Sequence, residues 1–548
     1  MAAQTKQIFN QIAKLNEIGK ALSAQKDVKV LTELILINAK ELLNAEGGTL
    51  YLATEEQSLK FEILINDRLG IAMGGTTGVP IPFEPLRLYN SFGQPNNNMV
   101  AAYAALHCQT INIADAYEAD GFDFSGTRAF DQKTGYRSRS FLTIPMLDYD
   151  EQLIGVLQLI NAKNADGGEI IAFTESAQSL AESLASQAAI ALTNYRLIAE
   201  FKHLFESFIE LIAKAIDDKS PHTGNHCRRV PELTMMLAEA ACNSTEGIFA
   251  DFNLTADDRY ELKIAGMLHD CGKVTTPVHV IEKSTKLETI YDRIDLIDHR
   301  FEILYRDAEI ELLKAKLQAL EAGQPSQIAE LEASYQTKLQ AWESDRQFLH
   351  HCNIGSEFMA DQQQQRVAKI AAHTWQSYLT GTSQPLITSN ELENLQITKG
   401  TLTAAERQII NHHIVVTLEM LEALPYPAKL RRVPEFAGGH HERMDGKGYP
   451  KGLTRSEMSI QARIMGIADI FEALTAKDRP YKKGKTITEC LQIMGRMKLD
   501  HHIDPDIFDL FVRERIYLQY AERFLDPEQI DQVDHSQIPG YGERSLSP

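Results

Sequence analysis

Histidine and aspartate gather in five short stretches between His222 and Asp469. His222 and His226 stand four residues apart and would share one face of a helix. His269 and Asp270 adjoin at the end of the apolar run Leu262–Leu268. Neighbouring side chains point in different directions, so this pair suits two metal ions with Asp270 between them. His413 closes an amphipathic turn, and His440 and His441 precede a glycine-rich turn whose irregular backbone aims two imidazoles separately. Asp469 sits in an apolar helical segment, where a lone carboxylate is costly unless paired or metal-bound. Imidazoles and carboxylates together suit iron, manganese or zinc. So many candidate ligands predict two metals, or three. Two metals a few ångströms apart are a recurrent device for phosphodiester hydrolysis. A single histidine is more often a surface or core residue than a ligand. The inference rests on all five pieces in this order.

The elements that must hold these pieces read as helices. Residues 10–45 have apolar residues at helical spacing, with an N-terminal helix expected over 1–24. Strand-like runs follow at Gly48–Ala53, Leu59–Ile65, Ser140–Leu147 and Leu153–Ile160, which predicts an α+β domain with an antiparallel sheet. Residues 66–135, rich in Gly, Pro and Asn, are expected to be irregular and to hold any ligand pocket. A helix is predicted from Phe173 to Asp218. In it Leu184, Ala188, Ala191, Tyr195, Ile198, Lys202, Phe205, Ile209, Ile212 and Ile216 alternate spacings of four and three. That heptad pattern predicts a signalling helix over 176–218 that pairs two copies of the chain. The remainder is helical, with an insertion at about 303–401 that begins as a helical hairpin turning at Gly323–Ser326. The fold class is therefore multidomain: an α+β sensor over 25–195, a long connecting helix, and an all-α domain over 200–515 with its insertion. A tail is expected over 516–548. The insertion's His350, His351 and His373 are expected at the surface.

The chain's 548 residues are too many for one core. A net charge of −20 argues against a nucleic-acid binder, which needs a basic surface. No apolar run is long enough for a bilayer, and the first residues lack the apolar core of a signal peptide, so a cytoplasmic protein without membrane partner is expected. The six cysteines are scattered without a CxxC pair and are expected as reduced thiols. Arg228, Arg229, Lys273, Arg443, Lys447, Lys451, Arg455, Arg479, Lys482, Lys483 and Lys485 crowd the motif segments, consistent with an anionic substrate.

His269-Asp270 followed by Gly272 and Lys273, then His440-His441-Glu442-Arg443 and Asp445 through Gly448-Tyr449-Pro450, is highly specific. These motifs resemble the HD-GYP branch of the HD-domain phosphohydrolases over roughly 200–300 and 400–515. The resemblance implies an all-helical domain with two or three divalent metal ions, iron or manganese foremost. It implies hydrolysis of cyclic di-GMP to pGpG or GMP. By motif, the implied ligands are His226, His269, Asp270, His413, His440, His441 and Asp469. Asp270 and Lys273 are the implied catalytic residues, with Lys273, Tyr449, Arg479 and Lys482 as substrate contacts. Trinuclear members carry a glutamate where this chain has His222, which either holds a third metal or leaves the site binuclear. His413 is preferred over His299, which is expected on the insertion surface, and over its neighbour His412.

The stretch from Phe130 to Pro145, continued by Gly155–Asn161, resembles GAF domains over roughly 25–195. Members that bind cyclic nucleotides often follow an Asn-Lys pair with Phe and an acidic pair. Here Asn161, Lys163 and Phe173 precede Ala177 and Gln178, so the resemblance implies an unidentified small molecule at most. His107 and Cys108 alone do not make a chromophore site. Two rival readings stand beside the cyclic di-GMP phosphodiesterase. One is an enzyme for another cyclic dinucleotide such as cyclic GMP-AMP. The other is a catalytically inactive nucleotide-binding signalling protein.

Overall fold

The computed structural model describes residues 2–164, 168–219, 225–355, 358–476 and 484–542. It divides into two units between Phe205 and Glu206. No helix among the described residues is long and apolar enough to cross a membrane.

The first unit opens with α1 (Ala2–Ser23) and α2 (Val28–Leu43). The Asp27 side chain accepts from the Lys29 and Val30 N–H groups to start α2, and Asn44 ends it in a left-handed conformation. Eight strands follow: β1 (Ala45–Ala53), β2 (Ser58–Asn66), β3 (Ile71–Gly74), β4 (Leu86–Arg87), β5 (Ile111–Ile113), β6 (Phe141–Leu147), β7 (Leu153–Lys163) and β8 (Ile170–Ile171). They pair antiparallel in the order β3-β2-β1-β7-β6-β5, with β4 on β2 and β8 on β7. Alternate residues of the long strands give the sheet two apolar faces. Ile35 and Leu36 of α2, with Leu184 and Ala188, cluster with Leu50, Leu157 and Leu159 on one of them. Residues 66–135 are less irregular than their composition predicts. They contain α3 (Val100–His107) and α4 (Ser125–Thr134) as well as three short strands. The alanines Ala101, Ala102 and Ala105 of α3 pack against Tyr51 and Val156. Alanine's helix preference prevails there over the flanking glycines and prolines.

The long helix α5 (Glu175–Lys219) forms where predicted. Half of its expected seam, Leu184, Ala188, Ala191, Ile209 and Ile216, is buried, whereas Ile198 of the same seam is exposed. A different stripe is exposed, made of Ile190, Leu197, Phe201, Leu204, Phe208 and Leu211. It too alternates spacings of three and four, with Asn194 filling its one gap.

The second unit is helical. It comprises α6 (His226–Asn243), α7 (Ala256–Leu268), α8 (Val278–Ile281), α9 (Ile294–Glu321), α10 (Ile328–Asn353), α11 (Asp361–Ala371), α12 (Ser389–Leu395), α13 (Ala404–Asn411), α14 (His413–Glu422), α15 (Val433–Gly438), α16 (Ile460–Thr475), α17 (Ile487–Leu499), α18 (Pro505–Arg513) and α19 (Ile516–Phe524). Threonine N-caps paired with an acidic residue three positions on start α7, α12, α13 and α17. Helix α16, apolar almost all round, runs through the middle and packs on α6, α15, α17 and α18. The hairpin of α9 and α10 turns near Gly323, which has a positive φ. It begins earlier than expected, at Ile294, and shares a core of Phe301, Trp342, Leu349 and Leu386 with the segments after it, including the small β9 (Thr374–Gln376) and β10 (Ser383–Pro385) pair. His299 and His351 are on its exposed surface, as expected. The expected tail is not one: α19 buries Ile516, Tyr517, Tyr520 and Ala521 and packs on α6. Its apolar residues at one-turn spacing account for that.

Candidate metal centre

Seven residues distant in sequence converge. Their ligand atoms form two groups, His226, His269, Asp270 and Asp469 in one and Asp270, His413, His440 and His441 in the other, each within 4.8 Å. Asp270 belongs to both. Its Oδ2 lies 3.1 Å from His226 Nε2 and 3.2 Å from His269 Nε2, and its Oδ1 lies 3.1 Å from His413 Nε2. Asp469 Oδ1 is 3.3 Å from His226 Nε2. Helix ends do most of the positioning. His226 opens α6, His269 ends α7, His413 opens α14, and His440 follows α15, whereas Asp469 comes from within α16.

Local hydrogen bonds choose the tautomers. Nδ1 of His269, His413 and His440 donates to the carbonyls of Gly266, Ile410 and Ala437 at 2.8, 2.5 and 2.6 Å. His226 Nδ1 donates to Glu472 Oε2 at 2.6 Å. Each proton so committed leaves Nε2 with a lone pair, the form that binds metal. The Nε2 atoms of His226 and His269 then face each other at 3.2 Å, as do those of His413 and His441. His440 Nε2 and Asp270 Oδ1 are buried with no hydrogen-bond partner. Lone pairs in opposition and orphaned buried acceptors are stable only if positive charge sits between them, so the donor set fits bound cations. Protonation agrees in the second group. Burial, with His441 and His269 adding to it, pushes His440 well below its usual range. Burial also pushes His441 down to about 4. Asp270 resists burial because Lys273 and His269 beside it hold its carboxyl well below the ordinary value. In the first group the direction is opposite: against burial, Glu472 and Asp270 push His226 well above its usual range, and Asp270 pushes His269 up to about 9. Neutral imidazoles are the ligating form, so a cation in the first group would have to displace protons from His226 and His269.

Packing fixes the spacing. Gly272 is pressed onto α14: a Cβ there would stand 2.0 Å from the His413 carbonyl oxygen. Its N–H donates to Thr417 Oγ1 at 2.9 Å. Tyr449 stacks on His441 with ring centres 4.9 Å apart. The loop that carries Tyr449 is gripped by Glu442, which accepts from the N–H groups of Lys451, Gly452 and Leu453 at 2.7, 3.1 and 2.9 Å. Lys273 lies beside Asp270 with its Nζ 2.5 Å from Oδ2.

The expected ligands His226, His269, Asp270, His413, His440, His441 and Asp469 thus meet at one place, with Lys273 and Tyr449 at its edge. His222, Arg479 and Lys482 lie outside the described residues. His299 donates to the Asp295 carbonyl in its own helix and is not among the gathered residues. Several of the crowded basic residues face carboxylates of this chain: Arg229 pairs with Glu472, Arg443 with Asp445, and Arg455 with Asp504. Two residues escaped the sequence reading. Glu472 lies three positions after Asp469 on an otherwise apolar helix, and that spacing was the available signal. Glu442 was read only as part of the motif His440–Pro450, which gave no sign of its grip on the loop.

Residues 27–192 match the GAF domain family and residues 361–507 match an HD domain family. The HD match begins inside the expected insertion and takes in His413, His440, His441 and Asp469. His226, His269 and Asp270 come from the stretch before it. The chain is 32% identical over 166 residues to the 3'3'-cGAMP-specific phosphodiesterase 1 of Vibrio cholerae, covering 28% of this chain and 37% of that protein. It is 32% identical over 142 residues to a probable cyclic di-GMP phosphodiesterase of the same organism, covering 25% of this chain and 32% of that one. The chain thus spans about a third of these curated relatives' length. A solved GAF domain of an Acinetobacter phosphoenolpyruvate-protein phosphotransferase aligns with 35% of this chain and 97% of its own, at 15% identity and a TM-score of 0.26. The family matches bear out the reading of a GAF domain ahead of an HD domain, and the chain carries both.

Proposed function

We propose that the helical unit is a metal-dependent phosphodiesterase that hydrolyses cyclic di-GMP to pGpG or GMP. The observation that carries this reading is the place of Asp270, shared by two groups of buried nitrogen and oxygen donors. His226, His269, Asp270 and Asp469 would hold one divalent cation, and Asp270, His413, His440 and His441 a second, iron or manganese in each case. His222 is available for a third. When bound, such cations supply a nucleophile from water at neutral pH and positive charge against phosphoryl oxygens. The chain's own groups do the rest. Glu472 and the three backbone carbonyls hold the imidazole protons away from the site. Lys273 offers an ammonium to a phosphoryl oxygen where negative charge builds up. Tyr449, braced on His441, offers a ring edge and hydroxyl to the substrate. Arg479 and Lys482 are further proposed substrate contacts.

Cyclic GMP-AMP is the second reading, favoured by the name of the first Vibrio relative above. Both are tested together: manganese-loaded protein is incubated with each cyclic dinucleotide, and the products are separated by chromatography. Cleavage of cyclic di-GMP at the higher kcat/KM supports the first reading, and the reverse order supports the second. No cleavage of either substrate, or full cleavage by Asp270→Asn, refutes the enzyme.

The same reading has the enzyme act as a homodimer paired along α5 and regulated by a small molecule at the GAF domain. The exposed stripe from Ile190 to Leu211 supports the pairing. Ile190, Leu197, Leu204 and Leu211 fall at one heptad position, and Asn194, Phe201 and Phe208 at the other. Leu204→Glu is expected to give monomers in sedimentation velocity. A dimer that survives this change refutes the stripe as its interface.

A further inference from the structure

The last turn of α5 touches both segments that bring ligands to the first metal group. Asp217 Oδ1 accepts from the backbone N–H of Cys227 at 3.3 Å. That N–H is one of the unpaired donors at the start of α6, directly after His226. Asn225, at the N-cap position, makes no side-chain cap hydrogen bond. A carboxylate from another helix therefore does the capping, where the helix dipole favours it. Two residues on, Lys219 Nζ donates to the carbonyls of Lys273, at 3.2 Å, and Val274. These lie in the 3-10 turn Cys271–Thr275 that Asp270 opens, and Lys273 in turn contacts Asp270. Ile216, Asp217 and Lys219 line a small cavity together with His226, Asp270 and Lys273.

We infer that Asp217 and Lys219 are positioning residues, through which the end of α5 sets how far His226 stands from Asp270. The inference rests on the metal-centre reading above and adds the regulation of that centre. One side chain fixes the helix that begins at His226, and the other fixes the turn that begins at Asp270. The two ligand atoms, 3.1 Å apart, belong to segments that both answer to one helical turn. A small rotation or shift of α5 would move the two anchors together with that turn. The long helix is thus a handle on metal affinity.

The test is calorimetric titration of the full chain, stripped by chelator, with manganese chloride. Lys219→Met keeps the aliphatic stem and removes the ammonium, and Asp217→Ala removes the cap. Each is expected to weaken manganese binding by about tenfold, the lower end of the effect seen when outer-shell partners of metal ligands are lost. Asp217→Asn keeps an acceptor for the Cys227 N–H and is expected to restore affinity to within about threefold of wild type, which a general loss of packing would not permit. Lys214→Met, an exposed lysine on the same helix, serves as the control and is expected to change nothing. Unaltered affinity in both Lys219→Met and Asp217→Ala overturns the inference while leaving the metal centre standing. So does equal weakening by Asp217→Asn and Asp217→Ala. A wild-type protein that takes up no manganese overturns the metal-centre reading itself.

Discussion

Gly272→Ala is the sharpest probe of the idea that backbone contact sets ligand spacing. The added Cβ would stand 2.0 Å from the His413 carbonyl oxygen, 2.6 Å from the Thr417 amide and 2.8 Å from its hydroxyl. Non-bonded contacts to carbon relax to about 3.5 Å. The turn after Asp270 and the start of α14 must therefore part by on the order of 1 Å, since two of the three obstructing atoms are backbone. Asp270 and His413 ride on those two segments, with Oδ1 and Nε2 now 3.1 Å apart. Metal–ligand distances tolerate only about 0.2 Å, so the second group is expected to lose its cation while the first keeps its own. Manganese stoichiometry should fall by one, and hydrolysis by about a hundredfold, the usual effect of a misplacement this large. Overpacking should also lower the unfolding free energy by about 1–3 kcal/mol. Metal analysis after gel filtration and urea unfolding read the two effects. Wild-type stoichiometry and affinity in a Gly272→Ala protein would falsify the claim that this contact spaces the ligands.

Other expectations follow from single side chains. Glu472→Gln leaves His226 Nδ1 a weaker acceptor, so manganese affinity should drop about 10–100-fold with stoichiometry unchanged; an unshifted binding isotherm removes Glu472 from the site's support. Glu442→Gln trades a carboxylate that accepts three backbone N–H groups for an amide that opposes one of them. It should cost about 3 kcal/mol in unfolding free energy and expose the 443–454 loop to proteolysis; protease resistance equal to wild type would count against the clasp. Phe301→Ala empties a fully buried ring site in the α9–α10 core, at a cost of about 3–5 kcal/mol to that subdomain. The two tryptophans of the chain, Trp342 and Trp375, both lie there, so fluorescence in urea isolates its unfolding, and an unmoved midpoint contradicts the packing described.

The ligands were legible because their chemistry is hard to disguise. An Asp in the apolar run Ile464–Ile470 needs a partner wherever it lies, and paired histidines beside glycines have few structural uses. Glu442 and Glu472 were not legible, since a glutamate next to a ligand looks like ordinary solvated charge until the fold buries it. The seam along α5 was only partly legible, for a geometric reason. Several faces of that helix carry apolar residues at spacings of three and four. A one-dimensional pattern cannot tell which face the helix keeps for its own units and which it leaves exposed. Likewise α3 was hidden by the glycines and prolines around it, although Val100–Leu106 alone reads as helix. The 516–548 segment was underestimated because Ile516, Tyr517 and Tyr520 have a core to join only once α6 is in place.

The placement of ligands at helix ends follows from a property of helices themselves. The last carbonyls of a helix have no N–H partner within it. Gly266, Ile410 and Ala437 are such carbonyls in α7, α13 and α15, and each takes its proton from the histidine three residues on. One bond satisfies the helix terminus, fixes the ring's orientation and leaves Nε2 bare. The same local geometry that ends three helices thus delivers three lone pairs to the same centre, and Asp270, on the turn after α7, sits where they meet.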